Sequence, residues 1–298
     1  MNAATTRLPE AQLAPLMAAY EQAMAAKRRQ VWIGFAILVA VTLLAGFVAE
    51  VRPGTFFTNL YRFTDYLGRI FTLDNGPASG RFVLVDVVEW MWGFDKWMKL
   101  LAETLLIAYV GTIMGAVGGF CLAFVAARNL APTSWMRFAA KRVLEFCRTV
   151  PEIVFALIFV VAFGLGPVPG VLAIAIHTFG ALGKQFAEVA ENIDMKPIDG
   201  LTATGATWIE RMRFAALPQV TSNFVSYALL RFEINVRGAA VMGFVGAGGI
   251  GQDLVEAIRK FYYADVSAIL VLIIATVMVI DLATERVRHA LIGLEHRQ

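Results

Sequence analysis

Four ionisable side chains lie inside stretches of sequence that are otherwise fit for hydrocarbon. Arg148 and Glu152 are four residues apart in one apolar run; Glu233 and Arg237 are four apart in another, with Asn235 between them. An ion at membrane depth is costly, so such groups face a cavity or one another. Residues four apart share a helix face, so each couple can form a neutralised pair that fixes packing. The same five residues can also line a polar pathway for an anion, attracted by Arg237 and Arg148. The two roles are compatible.

Other motifs narrow the chemistry. Gly246-Ala-Gly248-Gly249-Ile-Gly251 fits G-x-G-x-x-G, and Asp265 follows at the distance a dinucleotide fingerprint asks. That motif needs a parallel sheet around it, for which this chain has no room. The four glycines are read instead as a flexible turn at the outer end of a span, where a gate needs a mobile backbone. No G-x-x-x-x-G-K-[ST] loop occurs. At Gly183-Lys184, Thr178 stands where the first glycine belongs and Gln185 where Ser or Thr belongs, so no phosphate cradle of that kind is expected. His177, His289 and His296 are scattered. His177 is read as a packed, hydrogen-bonded histidine, with substrate contact as the alternative. No catalytic set and no metal-ligand cluster stands out, and Cys121 and Cys147 in apolar segments imply no disulfide framework.

The elements that position these residues are membrane spans. Of 298 residues 58% are hydrophobic and only 16% charged, where a soluble domain carries about 25%. Mean hydropathy is +0.66. The class is an all-α, polytopic helical membrane protein of about six transmembrane helices. The net charge of +3 calls for no nucleic acid. Residues 1–30 are read as a short cytoplasmic amphipathic helix, and 31–49 as a first span retained behind Lys27, Arg28 and Arg29. Residues 50–100 are read as an outer, interfacial segment. In it Phe56, Leu60, Phe63, Leu67 and Ile70 recur at helical spacing, Asn75-Gly76-Pro77 marks a turn, and Trp90, Trp92 and Trp97 read as an aromatic belt.

Residues 101–285 form the main membrane domain, and 286–298 a cytoplasmic tail. Its spans cover 101–127, 143–165 with a kink at Pro151, 171–182 after a tight Gly166–Gly170 turn, 225–245 and 266–282. Gly111, Gly115 and Gly119 share one face of the first of these and allow another backbone close. The reading is packing within one subunit, with a subunit interface as the alternative. Short-loop Lys and Arg (Arg128, Arg137, Lys141 and Arg142, then Lys184, Lys196, Arg211 and Arg213, then Arg286 and Arg288) place both termini and the 192–223 loop on the cytoplasmic side.

That loop is far longer than a connection needs. It holds two short helical patterns broken at Gly205, with Pro218 stopping the second. Asp199-Gly200-Leu201-x-x-x-Gly205-Ala206, with Ala215-x-Leu217-Pro218 following nine residues after Gly205, resembles the Glu-Ala-Ala-x-x-x-Gly, nine residues, Ile-x-Leu-Pro loop of ABC-importer permeases. Asp199, Gly200, Leu201 and Ala215 depart from that pattern. Arg231-Phe-Glu-Ile-Asn-Val-Arg237, the glycine run to Gly251 and Arg148-Thr-Val-Pro-Glu152 look like the permeases of phosphonate importers, with phosphite importers as close relatives.

The resemblance implies a type I importer permease in a bacterial inner membrane that works with a second copy of itself. It implies a separate ABC ATPase dimer that binds ATP and Mg, an extracytoplasmic phosphonate-binding protein and membrane lipid as further partners. This chain would hold no cofactor of its own. Its loop would pass ATP-driven motion to anion translocation. The alternatives are a permease for phosphate or methionine, or a transporter driven by an ion gradient.

Overall fold

A computed structural model describes residues 10–73 and 79–295. Among them the chain is helical, with one isolated antiparallel bridge, Thr72 to Phe82. It divides into two units, residues 1–65 and 66–298. In the first, α1 runs unbroken from Glu10 to Val48. The short N-terminal helix and the first span expected separately are therefore one element. Its apolar stretch Met17–Val48 is exposed all round, as a lipid-facing helix must be. Helix α2 (Pro53–Ile70) carries the expected amphipathic pattern. The proposed turn at Asn75–Pro77 lies outside the described residues.

In the second unit, a short α3 (Val87–Trp90) precedes α4 (Phe94–Ala126). The tryptophans here are not a lipid-facing belt. Trp97 is buried, and Trp90 is buried with its Nε1 donating to Ser267 Oγ at 2.9 Å; only Trp92 is exposed, donating to Asp265 Oδ1. Helices α5 (Ser134–Thr149) and α6 (Glu152–Phe163) meet at 83°. The kink expected at Pro151 is thus a full break. Proline has no N–H to continue the ladder and bars its predecessor from helix; Val150 is extended at φ −74°, ψ 124°. Helix α7 spans Pro167–Glu191. The tight turn sits earlier than expected, at Gly164 and Gly166 with φ of 86° and 137°, and Pro167 opens the helix, where its missing N–H costs nothing. The helix at the expected fourth span is therefore 25 residues long rather than short.

The loop follows as α8 (Lys196–Ala203) and α9 (Trp208–Arg211). A π-helical turn, Met212–Ala216, joins α9 directly to α10 (Leu217–Met242). Pro218 does not stop a helix: it lies in the first turn of α10, and the wider π turn ahead of it absorbs the missing donor. After a 3-10 turn, Gly243–Val245, come α11 (Ile250–Arg259) and α12 (Tyr263–Glu295); α12 absorbs most of the expected tail. By length and composition, α1, α4 and α12 qualify as spans. Two bent pairs, 134–163 and 208–259, qualify if each counts as one.

Packing centres on α7, which α4, α5, α6 and α10 enclose. The glycine stripe makes this possible. A Cβ on Gly111 would lie 2.7 Å from Ile174 Cγ2, on Gly115 2.6 Å from Thr178 Cβ, and on Gly119 2.8 Å from the Gly183 nitrogen. The stripe therefore serves packing within the chain, since α7 fills it. At the loop end, Phe186 stacks on Phe224 at 4.1 Å within a core that includes Leu144, Leu182, Ile198 and Met212.

Candidate functional site: the loop elbow and the charges at membrane depth

The loop folds into a two-sided elbow. Gly205 makes the bend at φ 80°, with nothing within 4 Å of a Cβ built there. Its requirement is conformational, since an L side chain is strained in the left-handed region. Behind the bend the elbow is riveted to the bundle. Gln219 accepts from the Asp194 N–H at 3.0 Å and donates to the Asp194 carbonyl at 3.2 Å. Trp208 Nε1 donates to the Leu130 carbonyl at 2.7 Å, and Arg211 Nη1 to Thr202 Oγ1 at 3.2 Å. Ile198, Met212, Ala215 and Ala216 are buried.

Helix α9 starts with a capping box: the Glu210 N–H donates to Thr207 Oγ1, and the Thr207 N–H donates to Glu210 Oε2 at 2.7 Å. The Thr207 hydroxyl, then its N–H, hold the Glu210 carboxyl below its ordinary range.

Asp199, Gly200 and Gly205 are exposed, as are Ile209 at 70% and Phe214 at 62%. Leu201, Ala206 and Leu217 are half-buried, and Pro218 is exposed. An apolar face of this kind on a polar loop is a docking surface in form.

The charges at membrane depth do not all meet as their spacing predicts. Glu233 and Arg237 do pair along α10, with Glu233 buried and Arg237 half exposed. Arg148 and Glu152 do not pair among the described residues. The break at Pro151 puts them on different helices, and an i,i+4 contact needs an unbroken one. Arg148 is exposed at the end of α5. Glu152 opens α6, where Oε2 lies 3.7 Å from His177 Nδ1 on α7. His177 in turn contacts Arg231 Nη2 on α10, and Arg231 Nε donates to Thr178 Oγ1 at 3.4 Å. Asn235 is fully buried, donating to Thr112 Oγ1 and Thr178 Oγ1, each at 2.8 Å.

Arg231 and His177 are the residues that sequence reasoning undervalued. An arginine in mid-span was itself the signal, since ions there are expensive, but its partners are apparent only in three dimensions.

The glycine run forms the expected turn, with Gly246, Gly248 and Gly249 at φ of 81°, 87° and 77°. The turn is gripped: Gly249 N–H donates to Glu103 Oε1 at 3.2 Å and Ile250 N–H to Thr104 Oγ1 at 2.9 Å. Gly251 packs its backbone against Gly243.

Residues 119–292 match the family model described as binding-protein-dependent transport system inner membrane component. The chain is 43% identical over 189 residues to the phosphite transport system permease protein PtxC of Stutzerimonas stutzeri, covering 63% of this chain and 69% of that one. It is 39% identical over 193 residues to the phosphate-import permease protein PhnE of Mycolicibacterium smegmatis, covering 65% of this chain but only 36% of that relative. The inward-facing MetNI methionine ABC transporter shares the fold, with a TM-score of 0.56 at 20% identity over 65% of this chain and 95% of that one. With that match over more than half its length, on a helical fold shared with an importer's membrane subunit, this multi-pass inner-membrane chain belongs to the family of binding-protein-dependent transport system inner membrane components.

Proposed function

We propose that this chain is the solute-conducting subunit of an ATP-driven importer for phosphite, phosphate or a phosphonate, and that the elbow from Lys196 to Pro218 receives the work of a separate ATPase. The observation that carries this reading is the two-sidedness of the elbow. Its inner side is hydrogen-bonded and packed into the bundle, while Ile209 and Phe214 on the same elbow remain exposed. Exposed apolar side chains on so rigid a mount suit the docking of a partner. The substrate class rests on the relatives named above.

In this reading the working unit holds two copies of the chain and an ATPase dimer that binds ATP and Mg on the side of the elbow. A binding protein delivers solute at the opposite side. The chain itself catalyses nothing. Both termini lie with the elbow in the cytoplasm, in accord with the short-loop positive charge.

Reconstitution with the partner ATPase and binding protein tests this. Gly205→Val forces a β-branched residue to φ 80°, at a cost of about 1–2 kcal/mol, and bends the elbow out of shape. Uptake should collapse while the chain remains inserted and monodisperse. Full uptake by that variant refutes the role of the elbow. The solute whose loaded binding protein most stimulates ATP hydrolysis identifies the substrate.

A further inference from the structure

Arg231, His177 and Glu152 reach one place from α10, α7 and α6. Arginine only donates, so its contact makes His177 Nδ1 an acceptor and leaves the imidazole proton on Nε2. His177 is therefore neutral here. Thr178 Oγ1, the other acceptor for Arg231, is neutral too. Among the described residues no carboxylate lies within ion-pair distance of Arg231. Arg237, one and a half turns along the same helix, has Glu233. Arg231 is thus a partly buried guanidinium with donors to spare, whose counter-charge, Glu152, acts from across His177, while the arginine favoured by sequence is paired directly with Glu233. Its planar fork suits two oxygens of one oxyanion.

Glu152 stands just beyond. Its Oε1 is so close to Gly238 that a Cβ there would lie 2.6 Å away, and its side chain is 27% exposed. A side chain at Gly238 would push that carboxylate aside. A carboxylate near an anion site repels a bare anion, yet it accepts a hydrogen bond from an acid that keeps one O–H.

We infer that Arg231 and Glu152, with His177 between them, form a selective site for a protonated phosphorus oxyanion: Arg231 takes the charged oxygens, and Glu152 accepts from the P–O–H. Sulfate, with no hydrogen to donate at neutral pH, gains the same attraction to Arg231 but meets Glu152 as an uncompensated repulsion. Weak net attraction suits a site that must release its cargo. The inference rests on the proposed substrate class and adds to it the residues that discriminate within the membrane.

The test is calorimetric titration of inorganic phosphate and of sulfate into the assembled permease and ATPase without the binding protein, beside phosphate uptake by the complete complex. Loss of one charge-assisted hydrogen bond is worth about tenfold or more in affinity. The unaltered assembly should prefer phosphate. Glu152→Gln should raise sulfate affinity about tenfold and erase the preference, whereas Arg231→Gln should weaken both anions about tenfold. Arg231→Lys, which keeps charge and bulk, should fall between and serves if the glutamine variant does not assemble. Equal shifts for both anions in Glu152→Gln, or no preference in the unaltered assembly, overturn the site. A complex that imports no phosphorus oxyanion refutes the functional reading itself; one that imports phosphate while the variants keep its selectivity refutes only the site.

Discussion

Arg231 and Asn235 lie one turn apart on α10 and share a hydrogen-bond acceptor, Thr178 Oγ1, yet they sit in opposite environments. Asn235 is sealed. The glycine stripe draws α4 so close that Thr112 closes over it, and the amide ties three helices without a charge. Arg231 instead reaches His177, which lies beside Glu152 at the start of α6, where the side chains of both remain partly exposed. A polar group roofed by a third helix becomes a rivet. The same helix face without a roof becomes a receptor. Polar residues in a span are thus sorted by what covers them, and residue type alone does not reveal the cover.

The sharpest way to break this contrast is to strike the residue both sides use. Gly115→Leu drives a side chain into Thr178, whose Cβ would stand 2.6 Å from the new Cβ. Overpacking of this kind costs typically about 1–3 kcal/mol, and more where backbone must move. Little monodisperse protein should survive extraction, and a normal yield would mean that α4 and α7 are not held as described.

Next, Asn235→Ala removes the rivet. It should cost about 1–3 kcal/mol, read as a lower thermal midpoint of the purified protein, while uptake per folded molecule persists. Lost uptake at an unchanged midpoint would reverse the roles assigned to the two residues.

Arg237→Gln comes third. The pair with Glu233 is half exposed on the arginine side but buried on the glutamate side, so losing it should cost about 1–2 kcal/mol. Uptake should fall less than in Arg231→Gln. A larger fall would return Arg237 to the anion route and demote Arg231.

The smallest effect belongs to the elbow. Glu210 has a folded pKa below its ordinary value because Thr207 donates to it. Its support of α9 is therefore complete above the ordinary carboxylate range and is lost as pH falls through the depressed value. Protection of the Thr207 amide against exchange, relative to its intrinsic rate, should fall only in acid, and Glu210→Gln should flatten that dependence.

Much of this was legible in the sequence. Apolar runs located α1, α4 and α12, the helices that qualify alone as spans, and the spacing around Gly205 located the elbow with its bend. The glycines at 111, 115 and 119 announced a close helix contact, which α7 supplies. The misreadings share a cause: each judged a local signal without its neighbours. A lone Pro151 predicts only a kink, because it cannot reveal that Val150 turns fully extended. Pro218 was taken for a stop because the π turn before it has no signature in residue type. Trp90 and Trp97 were given to lipid because only the fold brings α12 against Trp90 and closes the core over Trp97. Arg148 was paired with Glu152 by spacing, whereas Glu152 faces residues 25 and 79 positions further along, His177 and Arg231.

The π turn has one more consequence. Because it lets the chain pass Pro218 without a break, helix continues from Trp208 to Val245. At about 1.5 Å per residue that is a rod of roughly 55 Å, longer than the hydrocarbon it crosses. The elbow and the gripped glycines are thus the two ends of one helical column, so motion that an ATPase imposed on the first would have a continuous path to the second.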